Sequence, residues 1–457
     1  MARHEDEQQV NWRMAVDRRR FVGGALGTAG LLLAKPRVAL GTPRDVIAAQ
    51  DAFDWKKFDG TKIRLLANAH PWTDSIKPQL GDFKDLTGIA VVEEDLPEAQ
   101  FRQKLTTELS QGTGSVDVMM SAPAQEGLKY EAAGWYEPLD AYVKDPAQTA
   151  PDYDFADFAP NTIKLQTVKE KLIGVPVQLE SEIIFYRKDL FEEKKIAVPA
   201  TLDDLKAAAQ ALHDPDKRMF GIGLRGKGAA ATSQFSSYLY GFGGDWLDES
   251  GNPALTTPEA IAAFQYYGDL AHNFGPRGVE NNSWAENVAL FQQGQLAMLS
   301  DASVFKVNLE DPKKSSVAGK VGYAVFPKGP KAQDPYSYTW GLSIPSQSKN
   351  KQAAWYFVQW ATSKAQALKL LEKGVPSARM SPWQDPAYTK TSNKEFDQAQ
   401  QTSIKLSTRT SNPPVLPVQE VRDAIGVVII AAIQGKDVKA AAEKANTDVK
   451  NIIAKSG

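Results

Sequence analysis

The sequence predicts an α/β protein built as two lobes with hinge crossings between them. Three observations point there. Residues 62–120 alternate apolar strands and amphipathic helices in the order β-α-β-α-β, the pattern of a parallel sheet with helical crossovers. The stretch Leu172–Leu190, LIGVPVQLESEIIFYRKDL, sets two apolar strands on either side of a proline and a carboxylate-rich bend. Pro176 lacks an N–H and interrupts the ladder there, so the chain reads as passing from one lobe to the other. Finally, the strand Val321–Phe326 and the aromatic segment Ser337–Pro345 read as a second crossing and a return to the first lobe.

Composition bounds the answer. The chain has 457 residues, enough for two or three domains with a large core. Hydrophobic residues make up 42% and charged residues 24%, and the net charge of −2 gives no reason to expect nucleic acid or an anionic membrane as partner. With no cysteine there are no disulfides, no thiolate nucleophile, no Cys-ligated zinc and no lipid on an N-terminal Cys. Residues 1–48 read as an export signal and leader. Arg18, Arg19 and Phe21 precede the mild apolar run Val22–Ala34, which resembles a twin-arginine signal and is short for a bilayer span. Periplasmic localisation is the expectation, with cleavage near Val38-Ala39-Leu40 or Val46-Ile47-Ala48.

The elements follow in order. Lys62–Ala67 is a strand, Ile76–Leu86 a helix stopped by Gly88, and Ile89–Val92 a strand. Phe101–Leu109 is an amphipathic helix ended by Gly112 and Gly114, and Val116–Met120 a strand. Thr201, with acids behind it, starts a helix running to Leu212. Met219–Arg225 reads as a strand. Its Gly221, Gly223 and Gly226 form a G-x-G-x-x-G, but two of them lie inside the apolar run, so a dinucleotide loop is not the reading. Helices are predicted over Ser233–Tyr240, from Pro258 to Asn273, and over Asn287–Gln293. Lys351–Leu371 reads as one long amphipathic helix, and Val418–Gln434 and Val438–Ile453 as the last two.

G-V-P-V-Q-x-E-x-x-I-x-F-Y-R-K-D-L-F, from Gly174, resembles the crossover segment of bacterial extracellular solute-binding proteins of family 1, the sugar-binding receptors of ABC importers of the maltose-binding-protein type. FKDLTGIAV, FRQKLTTELSQGTGSVDVMM and AAGWYEPLD resemble the N-terminal lobe of that family, in the right order. FQQGQLAML and Gly374–Arg379 (GVPSAR) are similar to its later hallmarks. The resemblance implies a type II periplasmic-binding-protein fold. It suggests a first lobe of 55–178 and 328–374, a second of 179–327 and 375–457, and a carbohydrate or polyol captured between them for delivery to permease subunits. It implies a monomer and no cofactor.

Candidate ligand-binding residues come from strand ends, bends and aromatic loops, because ligands of open α/β sheets bind beyond the carboxyl ends of strands. His70, Trp72 and Thr73 follow the first strand, Asp95 the second and Ser121 the third. Gln178 and Glu180 lie in the carboxylate-rich bend, and the family resemblance turns Glu180 to the ligand. Gly244 and Trp246 close the GFGGDW turn, and Trp284 opens the next helix. Asp301 can accept two hydroxyls, Trp340 and Gly341 lie on the return strand, and Arg379 can meet an acid or a hydroxyl. Arg379 equally suits pairing with Glu180 or Asp301, and His70 suits a loop histidine packed beside Pro71.

No catalytic or metal residue is expected. The four His (His4, His70, His213, His272) form no metal spacing, and neither H-E-x-x-H nor G-x-S-x-G occurs. Two alternatives stay open. One is a secreted glycan hydrolase, which needs only two carboxylates, such as Glu94, Asp95, Glu180 or Asp301. The other is a receptor for a polyamine or an organic phosphate or sulfonate, sulfosugars included; a phosphate or sulfonate would draw Arg225 and Arg379 inward.

Overall fold

The computed structural model describes residues 53–456, and the export-signal reading of residues 1–48 lies outside them. Two sheets organise the chain. The first has five strands: β1 (Lys62–Asn68), β2 (Ala90–Leu96), β3 (Val118–Ser121), β4 (Val175–Pro176) and, returning late, the strand Gly341–Ser343. β1 is flanked in parallel by β2 and β3, as the β-α-β-α-β pattern requires, and the returning strand enters antiparallel between β3 and β4.

The second sheet is built on β5 (Glu180–Arg187), all of whose residues are buried. It pairs antiparallel with β6 (Met298–Ala302), β7 (Val321–Val325) and β8 (Ser337–Tyr338). The returning strand is thus β9. Side chains alternate across β5, so one strand serves two cores. Ile183 and Phe185 join the core that surrounds the first sheet, while Ile184 and Tyr186 face a second core of helices. The helices Ala229–Gly241, Pro258–Phe274, Val418–Ile433 and Val438–Ser456 make up much of that second core.

Three sequence expectations need correction. Val321–Phe326 is no crossing, because β7 pairs with β5 along its length; the chain passes from the second sheet to the first at Thr339–Trp340, between β8 and β9. Lys351–Leu371 is two helices, Lys351–Ala361 and Lys364–Glu372. The break has a chemical cause. Ser363 caps the second helix by accepting from Gln366 N at 3.2 Å, and the Thr362 carbonyl is taken by Arg379 Nε at 2.6 Å. Met219–Arg225 makes only isolated bridges, to Asp214, Leu296 and Leu299. Its glycines serve close packing: a Cβ on Gly221 would stand 2.2 Å from the Ala209 carbonyl oxygen, and one on Gly226 2.3 Å from that of Val279. Among the described residues no helix is long and apolar enough to cross a membrane.

Because backbone atoms, not flexible side chains, oppose that Cβ, Gly221→Ala should lower unfolding stability by about 1–3 kcal/mol in urea denaturation.

Candidate functional site

A cavity of about 1000 Å³ opens between the two sheets' lobes. The residues at its wall come from both lobes and from the crossings. His70 reaches it because it caps the helix Pro71–Ile76 directly after β1, with Nδ1 accepting from Trp72 N at 3.2 Å. With Nδ1 an acceptor, the ring proton sits on Nε2, 3.9 Å from Glu180 Oε2. Burial pushes His70 down to about 3, so the ring is neutral at physiological pH, with Glu98 opposing only in part.

Glu180 stands at the start of β5, 5% exposed, accepting from Gln178 Nε2 at 3.0 Å. Burial raises it to about 8; Arg225 opposes the rise while Asp301 and Glu98 add to it. Arg225 itself is fixed from below. Its Nε donates to Asp301 Oδ2 at 3.0 Å and its Nη2 to Asp301 Oδ1. Its backbone N–H donates to Gln234 Oε1 at 2.7 Å, and Tyr267 donates to its carbonyl at 2.6 Å. Burial would lower the guanidinium, but the fully buried Asp301 beside it holds it above its usual value. Under this floor Glu182 accepts from Ser300 Oγ at 2.6 Å and, with no ion pair among the described residues, is also raised by burial to about 8, Arg225 opposing only in part.

On the first lobe, the helix Glu98–Gln111 sets an i,i+4 pair at its first turn. Arg102 donates to Glu98 Oε1 through Nε at 3.2 Å and Nη2 at 3.0 Å, and through Nη1 to Glu126 Oε2. Its guanidinium lies 4.9 Å from the Trp340 ring centroid, a cation–π contact that fixes both groups. Burial raises Glu126 despite Arg102, and Glu126 also accepts from Ser121 Oγ at 3.0 Å. For Glu98, burial pushes upward but Arg102, Arg422 and Arg225 prevail, and its carboxyl lies below the usual range.

On the second lobe, Arg422 projects from the helix Val418–Ile433 into the wall, 4% exposed. Its Nη2 donates to the Ala229 carbonyl at 2.7 Å and lies 3.4 Å from Ser233 Oγ, while its buried Nε has no hydrogen-bond partner among the described residues. Burial lowers it to about 10, against the pull of Glu98. Trp284 lines the same wall, stacked on Phe305 with centroids 5.1 Å apart.

Of the residues singled out in the sequence, His70, Glu180, Arg225, Trp284 and Trp340 line the cavity together. The others lie elsewhere. Gln178 sits behind Glu180 as its hydrogen-bond donor, Asp301 beneath Arg225 as its ion-pair partner, and Ser121 behind Glu126. Trp72 is in the first core with no exposure, and Thr73 Oγ1 is occupied by the Asn68 carbonyl at 2.8 Å. Asp95, at the carboxyl end of β2, pairs with Lys77 at 2.5 Å and is not part of the cavity wall. Trp246 packs against Phe235 in the second core, and the Gly244 carbonyl accepts from Arg409 at 3.2 Å. Gly341 is closed off by Gln166, whose Oε1 would stand 2.3 Å from an added Cβ.

Arg379 pairs with neither Glu180 nor Asp301. It is 1% exposed and donates to the carbonyls of Thr362 at 2.6 Å, Asp154 at 2.8 Å and Tyr153 at 2.8 Å, with Asp157 at 3.4 Å. Glu98, Arg102, Glu126, Tyr336, Tyr338 and Arg422 line the cavity without having been singled out. Only the Glu98–Arg102 spacing carried a signal in the sequence, and that signal fits any solvated helix face.

Two lobes facing a polar, aromatic-walled cleft across short crossings define the architecture of a two-lobed binding protein. The chain belongs to the bacterial extracellular solute-binding protein family, whose model matches residues 68–368. It is 34% identical over 275 residues to the mannitol-binding protein of Pseudomonas aeruginosa, a match covering 59% of this chain and 61% of that relative. Among solved structures it is similar to an ABC-transporter solute-binding protein of Agrobacterium vitis with bound D-mannitol. That likeness is 32% identical with a TM-score of 0.76, covering 87% of this chain and 99% of the other. A solute-binding protein of Agrobacterium radiobacter in complex with ribitol is 27% identical with a TM-score of 0.79, covering 86% and 99%.

The site carries two expectations. Glu180 and Glu182 are raised from 4.5 to about 8, so they favour the fold at low pH and lose that effect as pH rises through 8. His70, lowered from 6.5, opposes this only below pH 6.5. Ligand-free stability should therefore fall between pH 6.5 and 8, and Glu180→Gln should flatten the fall in denaturation curves taken across that window. Arg379→Met should cost about 3–5 kcal/mol in the same assay, because it removes the donor to three buried carbonyls and leaves the Asp157 carboxylate without its ion-pair partner.

Proposed function

We propose that the protein is the substrate-binding receptor of an ABC importer and captures a carbohydrate or sugar alcohol in the cleft. The observation that carries this reading is the wall itself. Ion-paired guanidinium groups, carboxylates and aromatic faces converge from both lobes on one cavity of about 1000 Å³. Such a set matches a ligand that presents hydroxyls around its edge and C–H groups on its faces. A ligand that touches both lobes only in the closed state favours closure by that difference in contact. The mannitol- and ribitol-bound structural relatives support the class of ligand.

In this reading the cleft residues bind and do not turn over their ligand. His70, Glu180, Trp284 and Trp340 are ligand-facing, joined by Arg102, Arg225 and Arg422. Gln178, Asp301 and Ser121 position them. The lobes divide at residues 178–179, at Thr339–Trp340 and at residues 374–375, the protein acts as a monomer, and the closed form docks on permease subunits. Family membership supports export to the periplasm, with the twin-arginine route suggested by Arg18, Arg19 and Phe21.

A thermal-shift screen of the purified protein tests this. A polyol present at a hundred times its dissociation constant should stabilise the fold by about 2.7 kcal/mol and raise the melting temperature. Mannitol, ribitol and related polyols and sugars form the panel, with a polyamine and a sugar sulfonate as controls. Trp340→Ala should weaken the responding ligand by about tenfold. A response to the amine or the sulfonate alone would overturn the substrate class, and consumption of the ligand would replace the receptor with an enzyme.

A further inference from the structure

Three side chains run from the first lobe through the crossing to the second, and their donors and acceptors must agree with one another. His70 stands in front of the helix Pro71–Ile76, Gln178 lies in the passage between β4 and β5, and Glu180 begins β5. His70 Nδ1 accepts from the backbone N–H of Trp72, so Nε2 carries the ring proton. That N–H meets the terminal amide of Gln178. The amide atom it meets lies 3.4 Å from His70 Nε2 and 3.0 Å from Glu180 Oε2. With nitrogen there, two N–H donors oppose each other, and the Gln178 oxygen is enclosed without a partner. A half-turn of the amide puts oxygen there instead, and it accepts from His70. An amide oxygen 3.0 Å from a carboxyl oxygen then needs a proton between the two, and only Glu180 can supply it.

We propose that Glu180 is a neutral acid in the ligand-free protein, that it donates its proton to the amide oxygen of Gln178, and that its Oε1 thereby serves the cleft as a fixed, uncharged acceptor for a ligand hydroxyl. The inference rests on the receptor reading above and deepens it. Glu180 lines the cavity, and Oε1, which accepts no hydrogen bond among the described residues, is not enclosed. The charged and titratable groups around Glu180 agree. Arg225 would favour the ionised form, but its guanidinium is engaged by Asp301 through Nε and Nη2 and makes no hydrogen bond to Glu180. Asp301 and Glu98 oppose a further negative charge, His70 is held neutral, and burial keeps Tyr336 and Tyr338 protonated. A carboxyl kept neutral by its site offers a hydroxyl one acceptor in a set direction and offers an ammonium group no charge. Ionisation would set Glu180 Oε2 against the Gln178 oxygen, and turning the amide back would set its N–H against that of His70. A bound ligand removes Glu180 still further from water, which again favours the neutral form, so the bound state holds the proton more tightly than the free one.

The test pairs a spectrum with calorimetry. The infrared difference spectrum of the ligand-free wild-type protein minus Glu180→Gln, taken at pH 7, should show the carbonyl band of a protonated carboxyl, and the band should be gone at pH 9.5. Calorimetric titrations use D-mannitol, or ribitol should only that bind. At pH 7 Glu180→Gln should stay within about threefold of wild type, since its amide can also donate to Gln178 and accept at Oε1. Glu180→Ala should bind about three- to tenfold more weakly. Wild-type affinity should fall about tenfold between pH 7 and pH 9, as Glu180 ionises through about 8, and Glu180→Gln should abolish the fall. Glu182→Gln, which removes the other carboxyl raised to about 8, should keep it. No carboxyl band at pH 7, a Glu180→Gln variant that binds no better than Glu180→Ala, or a wild-type affinity unchanged from pH 7 to pH 9 would overturn the neutral acid while leaving a polyol receptor intact. Should Glu180→Gln misfold, the pH course of affinity in the wild type and in Glu182→Gln decides. Wild-type protein that binds no polyol of the thermal-shift panel would overturn the receptor reading and the ligand contact with it, and the spectrum alone then decides the proton.

Discussion

The constraint on which the rest depends is the complete burial of β5. A strand with all eight residues inside must have its backbone groups paired, since an unpaired buried N–H or C=O costs as much as a lost hydrogen bond. Three other strands meet that demand, and each arrives from a distant part of the chain. β5 therefore gathers the second lobe. Only three residues separate its start from Pro176, the end of β4 in the first sheet. That short passage is braced by neighbours: Val177 N–H donates to the Trp340 carbonyl at 2.9 Å and Leu179 N–H to that of Pro376 at 3.2 Å. The passage thus runs beside the Thr339–Trp340 crossing and the segment at Pro376, and each gives it one backbone hydrogen bond.

Burial also sets the chemistry of the cleft. β5 carries Glu180 to the wall and Glu182 beneath it, two carboxyls that burial pushes toward the protonated state. The guanidinium groups are held by contrasting means. Arg225 rests on Asp301, with its backbone pinned by Gln234 and Tyr267; Arg102 is clamped between Glu98 and Glu126 and laid on Trp340. Groups fixed in this way lose little freedom when a ligand arrives, which is where preorganised sites gain affinity.

The fold was legible because its signals are periodic. Alternating apolar strands, the Thr201 cap, Pro258 at the first position of its helix, and the proline in the crossover each dictate local geometry, and all point the same way. The misread elements lacked such agreement. The helical pattern of Lys351–Leu371 runs through Thr362 and Ser363, and only Arg379, from beyond the next helix, shows why the backbone breaks there. The apolar run Met219–Arg225 resembles a strand, but its glycines make room for the Ala209 and Val279 backbone and no full ladder forms.

The site was legible in part, for a related reason. His70 and Glu180 lie at a strand end and at the crossover, where topology alone directs a side chain to the cleft. Tryptophans give no such direction: Trp340 and Trp284 face the cavity while Trp72 and Trp246 fill cores, and the four look alike in sequence. Arginine is equally silent. Arg379 is consumed by three carbonyls, Arg225 by Asp301, and Arg422 retains a free donor. The difference lies in partners contributed by other elements, in Arg379's case more than two hundred residues away along the chain. Binding sites of this kind are made of what folding leaves unpaired, and that remainder exists only once every other pairing has been made.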